Sequence, residues 1–151
     1  MNRPIMEPED AHPMEFVREF MLRFGQSVPP TVSMPDPETH NLRWRLIDEE
    51  AHELRDATNP TQYLDAVGDL LYVVYGAAIA AGFTAQQVES AVYEIHRSNM
   101  SKLWSEDELA NVPGDSRAHH VGDGRYIVRR NDGKIIKSPS YSPANLQPII
   151  E

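Results

Sequence analysis

Between Leu70 and Phe83 the chain reads LLYVVYGAAIAAGF, apolar except for two tyrosine hydroxyls. A helix that is apolar all round has to be covered on all sides, so the run predicts a fully buried helix at the centre of a bundle. It is too short to span a bilayer, which takes about 20 apolar residues, and no membrane association is expected. At 151 residues the chain has the length of one ordinary domain, and a chain of that size buries roughly two thirds of the surface its unfolded form exposes. One compact core is expected.

The charge balance narrows the partners. There are 23 acidic residues against 14 basic ones, a net charge of -9, which argues against holding a nucleic acid polymer by neutralising its phosphates. A single nucleotide carried with metal ions is compatible with that balance. The sequence has 0 cysteines, so disulfides, thiolate zinc sites and a cysteine nucleophile are all excluded. Met1–Asp10 lacks the basic flank and apolar run of a signal peptide, and a soluble, cytoplasmic protein is expected.

Along the chain, Pro4, Pro8 and Pro13 predict an irregular start. A first helix follows over Met14–Phe24, with Phe16, Phe20 and Phe24 at i, i+4 spacing on one face and Gly25 as its stop. Ser27–Pro37 carries Pro29, Pro30, Pro35 and Pro37 and reads as a linker. A second helix is expected from about Thr39 to Ala57. Asn59 then caps a third, with Pro60 at its first position, running to Ala81 or Gly82. Thr84 caps a fourth, from Ala85 to about Leu103.

Beyond Trp104 the polar stretch Ser105–Asp123 reads as loop. Arg125–Arg130 and Lys134–Lys137 flank Asn131-Asp132-Gly133, and Asp-Gly between β-prone runs predicts a hairpin. The tail Ser138–Glu151, with Pro139, Pro143 and Pro148, should be extended and packed on something else. The expected fold class is all-α: a bundle of four main helices over residues 1–104, then a loop, β-hairpin and extended tail over 105–151 that cover the domain or a partner subunit.

The second helix carries its acids on an unexpected face. At about 100° per residue, Leu42, Leu46, Ile47, Ala51 and Leu54 mark the apolar arc and Asn41, Arg45, Asp48, His52, Arg55 and Asp56 the solvent arc. Glu49 falls at the boundary and Glu50 and Glu53 inside the apolar side, so three acids are expected to point toward the core. The third helix adds Asp65 and Asp69 at i, i+4 spacing, at the start of its apolar run. Burying an isolated carboxylate costs several kcal/mol or makes it take up a proton, so a positive partner must share that space. Arg43, Arg45 or Arg55 in ion pairs would serve. So would hard divalent cations, which all-oxygen carboxylate clusters favour, magnesium being the usual one beside a phosphate chain. Two or more such ions on Glu49, Glu50, Glu53, Asp69 and Asp65 would polarise phosphoryl oxygens and activate a water.

The fourth helix ends in His96-Arg97-Ser98-Asn99-Met100-Ser101-Lys102, where Asn99 and Lys102 at i, i+3 share a face. Such a pair can hold phosphate oxygens, or Lys102 can complement the negative end of the helix dipole.

Glu49-Glu50-Ala51-His52-Glu53 followed by Asp69 resembles the EExxE and downstream aspartate pattern of the all-α nucleoside triphosphate pyrophosphohydrolases. That superfamily includes MazG, phosphoribosyl-ATP pyrophosphohydrolase and the dimeric dUTPases. The resemblance runs from about Phe16 to Lys102, and the strings HRSNMSKL (His96–Leu103) and DGKIIKSPSYSP (Asp132–Pro143) look like the small bacterial and phage-type members. It implies a MazG-like helical bundle, assembled as a homodimer or homotetramer, in which a metal-activated water attacks phosphorus to release pyrophosphate and a nucleoside monophosphate. It implies magnesium, with manganese as a substitute, held by Glu49, Glu50, Glu53 and Asp69, and phosphate contacts from Asn99 and Lys102. The usual fourth acid, three residues before the aspartate, is Ala66 here; Asp65, one residue earlier, is similar to the acid of the phage-type versions.

Phe16, Phe20, Trp44 and Tyr72 are the aromatic candidates for stacking on a base, each with a core role as the alternative. Within the resemblance the substrate stays open between a (d)NTP and phosphoribosyl-ATP. A non-catalytic nucleotide-binding protein is disfavoured because acids repel phosphates without metal. A di-iron carboxylate bundle needs two Glu-x-x-His pairs, and Glu49 to His52 supplies one.

Overall fold

The computed structural model describes residues 11–151. Met1–Asp10, read as lacking the features of a signal peptide, and with it Pro4 and Pro8, lies outside those residues. Among the described residues the chain is mostly helical and ends in a small antiparallel sheet, so it is not purely all-α. The four main helices are α1 (Pro13–Arg23), α2 (Pro37–Asp56), α3 (Pro60–Ala80) and α4 (Ala85–Met100). Two compact units divide the chain, one up to Val88 and the other Glu89–Glu151.

In the first unit, local chemistry sets the helix ends. The Asn59 side chain accepts from Gln62 N at 3.0 Å and Pro60 opens α3, as the sequence predicts. Thr84 and Gln87 cap α4 reciprocally, each backbone N–H meeting the other side chain. Pro13 starts α1 rather than an irregular segment, because the His12 ring takes the N–H of Met14. At the other end of α1, Gly25 adopts φ 70° and Gln26 N donates to Met21 O at 2.8 Å, a glycine-terminated cap.

The core of this unit is Met14, Val17, Met21, Ile79 and Ala80, where α1 lies against the C-terminal half of α3. The proline-rich linker crosses the end of α3, with Ser33 N donating to Ala81 O. Gly82 stands at φ 81°, and a Cβ there would lie 2.1 Å from Thr31 O, so only glycine permits the crossing.

Two expectations fail here. Within one chain α3 is not covered on all sides: Leu64 is 73 % exposed and Leu71 51 %, and Tyr72 and Val74 are also exposed. Nor does α2 bury any residue, so Glu49 and Glu53 are exposed and Glu50 alone is partly buried. The physical reason is common to both. α2 packs along α3, leaving the rest of its apolar arc without a partner in this unit. The length argument against a membrane span also changes, because the helix, at 21 residues with a mean hydropathy of 1.3 over its most apolar 18-residue stretch, is longer than its apolar run. By length and composition it suits a bilayer, as does a core helix of a soluble assembly.

In the second unit, β3 (Arg125–Arg130) is the central strand. It pairs antiparallel with β1 (Trp104–Ser105), β2 (Ser116–Gly122) and β4 (Ile135–Ile136). The expected turn at Asn131-Asp132-Gly133 joins β3 to β4. Ser105–Asp123 is not loop: it holds a 3-10 helix over Glu106–Asn111 and then β2. A second Asp-Gly turn makes β2 possible, with Gly122, Asp123 and Gly124 all at positive φ. Val128 and Trp104 are the buried centre of this unit, and Trp104 Nε1 donates to Ile136 O at 2.9 Å. The tail lies across the last turns of α4 and ends in a short helix, α5 (Gln147–Ile150).

Candidate active site

The first unit brings five carboxylates onto neighbouring turns of α2 and α3. Glu49, Glu50 and Glu53 occupy one turn of α2, and Asp65 and Asp69 one turn of α3. Ala57, Thr58 and Asn59 connect the helices, so the two run in opposite directions and place these turns side by side.

Glu50 is the centre of the group. Burial raises its pKa first, and the charges of Glu53, Asp69, Glu49 and Asp65 raise it further, in that order. Every acid expected from the sequence thus acts on Glu50, Asp65 included. Its Oε2 is buried and has no hydrogen-bond partner. A buried carboxylate oxygen without a donor, in the field of four other acids, is unfavourable unless a cation joins it.

No arginine takes that role. Among the described residues no ion pair reaches any of the five acids. Arg55 pairs with Asp56 at 2.7 Å. Arg43 donates to Gln26 Oε1 at 2.9 Å and lies against Gly76, whose missing side chain makes its room. The Arg43 Nε is itself buried without a partner, and burial lowers its pKa.

The acids are not drawn into a closed ligand cage: among the described residues no three acidic or histidine side chains converge as a metal group. Like charges hold each other apart when nothing positive lies between them. The donor set is all oxygen and suits a hard divalent cation, and the orphaned Glu50 oxygen supplies a place for one. Ala66, at the position of the usual fourth acid, is buried, whereas Asp65 is exposed beside the cluster.

Of the aromatic candidates, Phe20 and Tyr72 come together, with ring centroids 5.9 Å apart and edge-to-face, and Phe24 stacks on Phe20 at 4.3 Å. The buried face of α1 is Met14, Val17 and Met21, so the phenylalanine face is left half open. Phe16 is partly buried. Trp44 is exposed and lines a shallow depression with Glu38, Asn41 and Arg45 on α2.

In the second unit Asn99 and Lys102 meet directly: Lys102 Nζ donates to Asn99 Oδ1 at 2.7 Å. Lys102 lies past the end of α4, which stops at Met100 rather than Leu103. Sequence reasoning missed Lys137 and Tyr141, which the tail brings to the same end of α4. Their only signal was their place in the tail string DGKIIKSPSYSP.

An uncharacterized protein of Acanthamoeba polyphaga mimivirus is 54 % identical over 44 residues, which is 27 % of this chain and 18 % of the relative. The chain thus spans under a fifth of that relative's length. The model of the phosphoribosyl-ATP pyrophosphohydrolase family matches residues 17–99, more than half of the chain and a span that contains the five carboxylates. The protein belongs to the phosphoribosyl-ATP pyrophosphohydrolase family, hydrolases of phosphoric anhydrides within the MazG-like superfamily.

Proposed function

We propose that the protein hydrolyses a (d)NTP or closely related nucleotide between its α and β phosphates, with magnesium, giving pyrophosphate and a nucleoside monophosphate. The observation that carries this reading is the buried, partnerless Glu50 Oε2 among four further acids, with no arginine paired to any of them. Magnesium bound there, or manganese in its place, supplies charge neutralisation, polarised phosphoryl oxygens and a water of lowered pKa.

The chain's own residues do the rest. Glu49, Glu50, Glu53 and Asp69 hold the metal, and Asp65 joins them in place of an acid at Ala66. Asn99 and Lys102 hold phosphate oxygens, Lys102 as a point charge and Asn99 as an amide donor. Phe20 and Tyr72 offer ring faces to the base, with Phe16 and Trp44 as weaker supports.

Exposed apolar residues on α2 and α3, including Leu42, Leu64, Leu71 and Val74, support a homodimer or homotetramer in the cytoplasm that covers them. The acidic balance speaks against a nucleic acid polymer as partner. Phosphoribosyl-ATP as substrate is the second reading, favoured by the name of the matching family. The test is pyrophosphate release from the dNTPs, the NTPs, dUTP and phosphoribosyl-ATP, each with magnesium and with EDTA. Magnesium-dependent release of pyrophosphate and monophosphate supports the reading and ranks the bases. No release from any member of the panel overturns it.

A further inference from the structure

The tail between Ile136 and Ser142 is pinned residue by residue. Trp104, itself buried, donates to Ile136 O, and the buried Ser138 hydroxyl donates to Ser101 O at 2.8 Å. These anchors flank Lys137 on both sides. Ser140 N donates to Glu108 Oε1 at 3.1 Å and Ser142 N to Ser101 Oγ at 2.9 Å, and these flank Tyr141. Pro139 and Pro143 restrict the backbone further.

Held this way, Lys137 Nζ stands 4.2 Å from the centroid of the Tyr141 ring, a cation–π contact that orients the ammonium. Ser138, next to Lys137, is bonded to Ser101, next to Lys102, so the two lysines sit at the same end of α4; hydrogen bonding to the Ser98 side chain, then the charges of Lys137 and Lys102, pull the Tyr141 hydroxyl below its ordinary pKa. Among the described residues neither lysine has an acidic partner within ion-pair distance. Arg97, close by, is different: it is bound to Glu94 at 2.7 Å. In a chain of net charge -9, two unpaired lysines gathered at one spot by an ordered tail leave a local positive charge to be met by an anion.

We propose that Lys137 and Tyr141 are further phosphate-binding residues, which with Lys102 and Asn99 form one cradle for the terminal phosphates of the substrate. The inference rests on the reading of Asn99 and Lys102 as phosphate contacts. Two ammonium groups and a phenolic hydroxyl match a group with several charged oxygens, and the released pyrophosphate is such a group.

The experiment uses the full chain in four variants: Lys137→Met, Tyr141→Phe, Lys102→Met and, as a control from the same hairpin, Lys134→Met. Inorganic pyrophosphate is titrated calorimetrically in metal-free buffer, and KM and kcat are measured with magnesium. Losing one charge-assisted contact should weaken pyrophosphate binding by about five- to tenfold in Lys137→Met and raise KM alike, with kcat changed less than about twofold. Tyr141→Phe should show about a two- to threefold effect, and Lys134→Met none. Wild type that turns over nucleotide, with KM raised by Lys102→Met but not by Lys137→Met, overturns the inference and leaves the proposed function standing. Wild type that turns over nothing, yet binds pyrophosphate through Lys137, overturns the function and leaves the anion cradle. Absence of pyrophosphate binding to wild type overturns the cradle.

Discussion

Two glutamates in this chain have opposite surroundings. Glu94, on α4, accepts from Arg97 and from the backbone N–H of Asn145, and these bonds hold its pKa down to about 2. Glu50, on α2, has a buried oxygen with no donor and four acids around it, and its pKa is pushed up. Glu94 is thus satisfied by groups of its own unit, where the tail joins α4. The first unit leaves a set of like charges unresolved. A charge that a fold neutralises internally contributes to the fold; a charge left without a partner marks where something else binds.

The largest expected effect is on turnover. Glu50→Gln and Asp69→Asn each remove the charge of a proposed metal ligand at nearly constant volume, and loss of activity should exceed about 100-fold, the upper end for outer-shell partners. Circular dichroism should show the helices intact. Full activity in either variant would erase the contrast between the two glutamates. Asp65→Asn sharpens it: an exposed acid at the edge of the group should cost about tenfold, and a loss equal to that of Asp69→Asn would make Asp65 a ligand of the same rank.

Stability should move the other way. Because the folded-state pKa of Glu50 lies above its unfolded value, the metal-free protein loses stability as pH rises through that pKa. Metal-free Glu50→Gln should therefore melt higher than wild type at pH 7, by about 2–4 °C. The gain should shrink as pH falls below the ordinary glutamate value of 4.5. Thermal melts across pH measure this, and a lower melting temperature for the variant at pH 7 contradicts it.

The smallest effect belongs to Glu94. Its depressed pKa means its stabilising contribution is present above 4.5 and is lost as pH falls toward about 2. Glu94→Gln should lower the melting temperature slightly at neutral pH and match wild type near pH 2. An unchanged melt at pH 7 would show that the Arg97 and Asn145 bonds contribute nothing.

What could be read from the residues was what local chemistry decides. Asn59-Pro60 specifies its helix start without help from the rest of the chain, and so do the reciprocal cap of Thr84 and Gln87 and the turn at Asp132-Gly133. β2 was not legible because almost every residue in it is exposed, leaving no alternation between two faces. Coverage was not legible either. A helical wheel tells which side of α2 is apolar but not whether anything lies against it, so Glu49 and Glu53 were assigned to a core that one chain does not provide. The acid pattern was visible as spacing. The single orphaned oxygen of Glu50 needed three dimensions, and so did the contact of Ser138 with Ser101, which brings the Lys137 segment to the Lys102 end of α4.

The most direct test of the unresolved acids as a metal site is a manganese titration of the full chain followed by electron paramagnetic resonance, in wild type and in Glu50→Gln. Wild type should bind manganese stoichiometrically and release it to excess magnesium, while Glu50→Gln should leave the ion free in solution. Equal binding by the two proteins would contradict the account, because the metal would then be held without the group that most needs one.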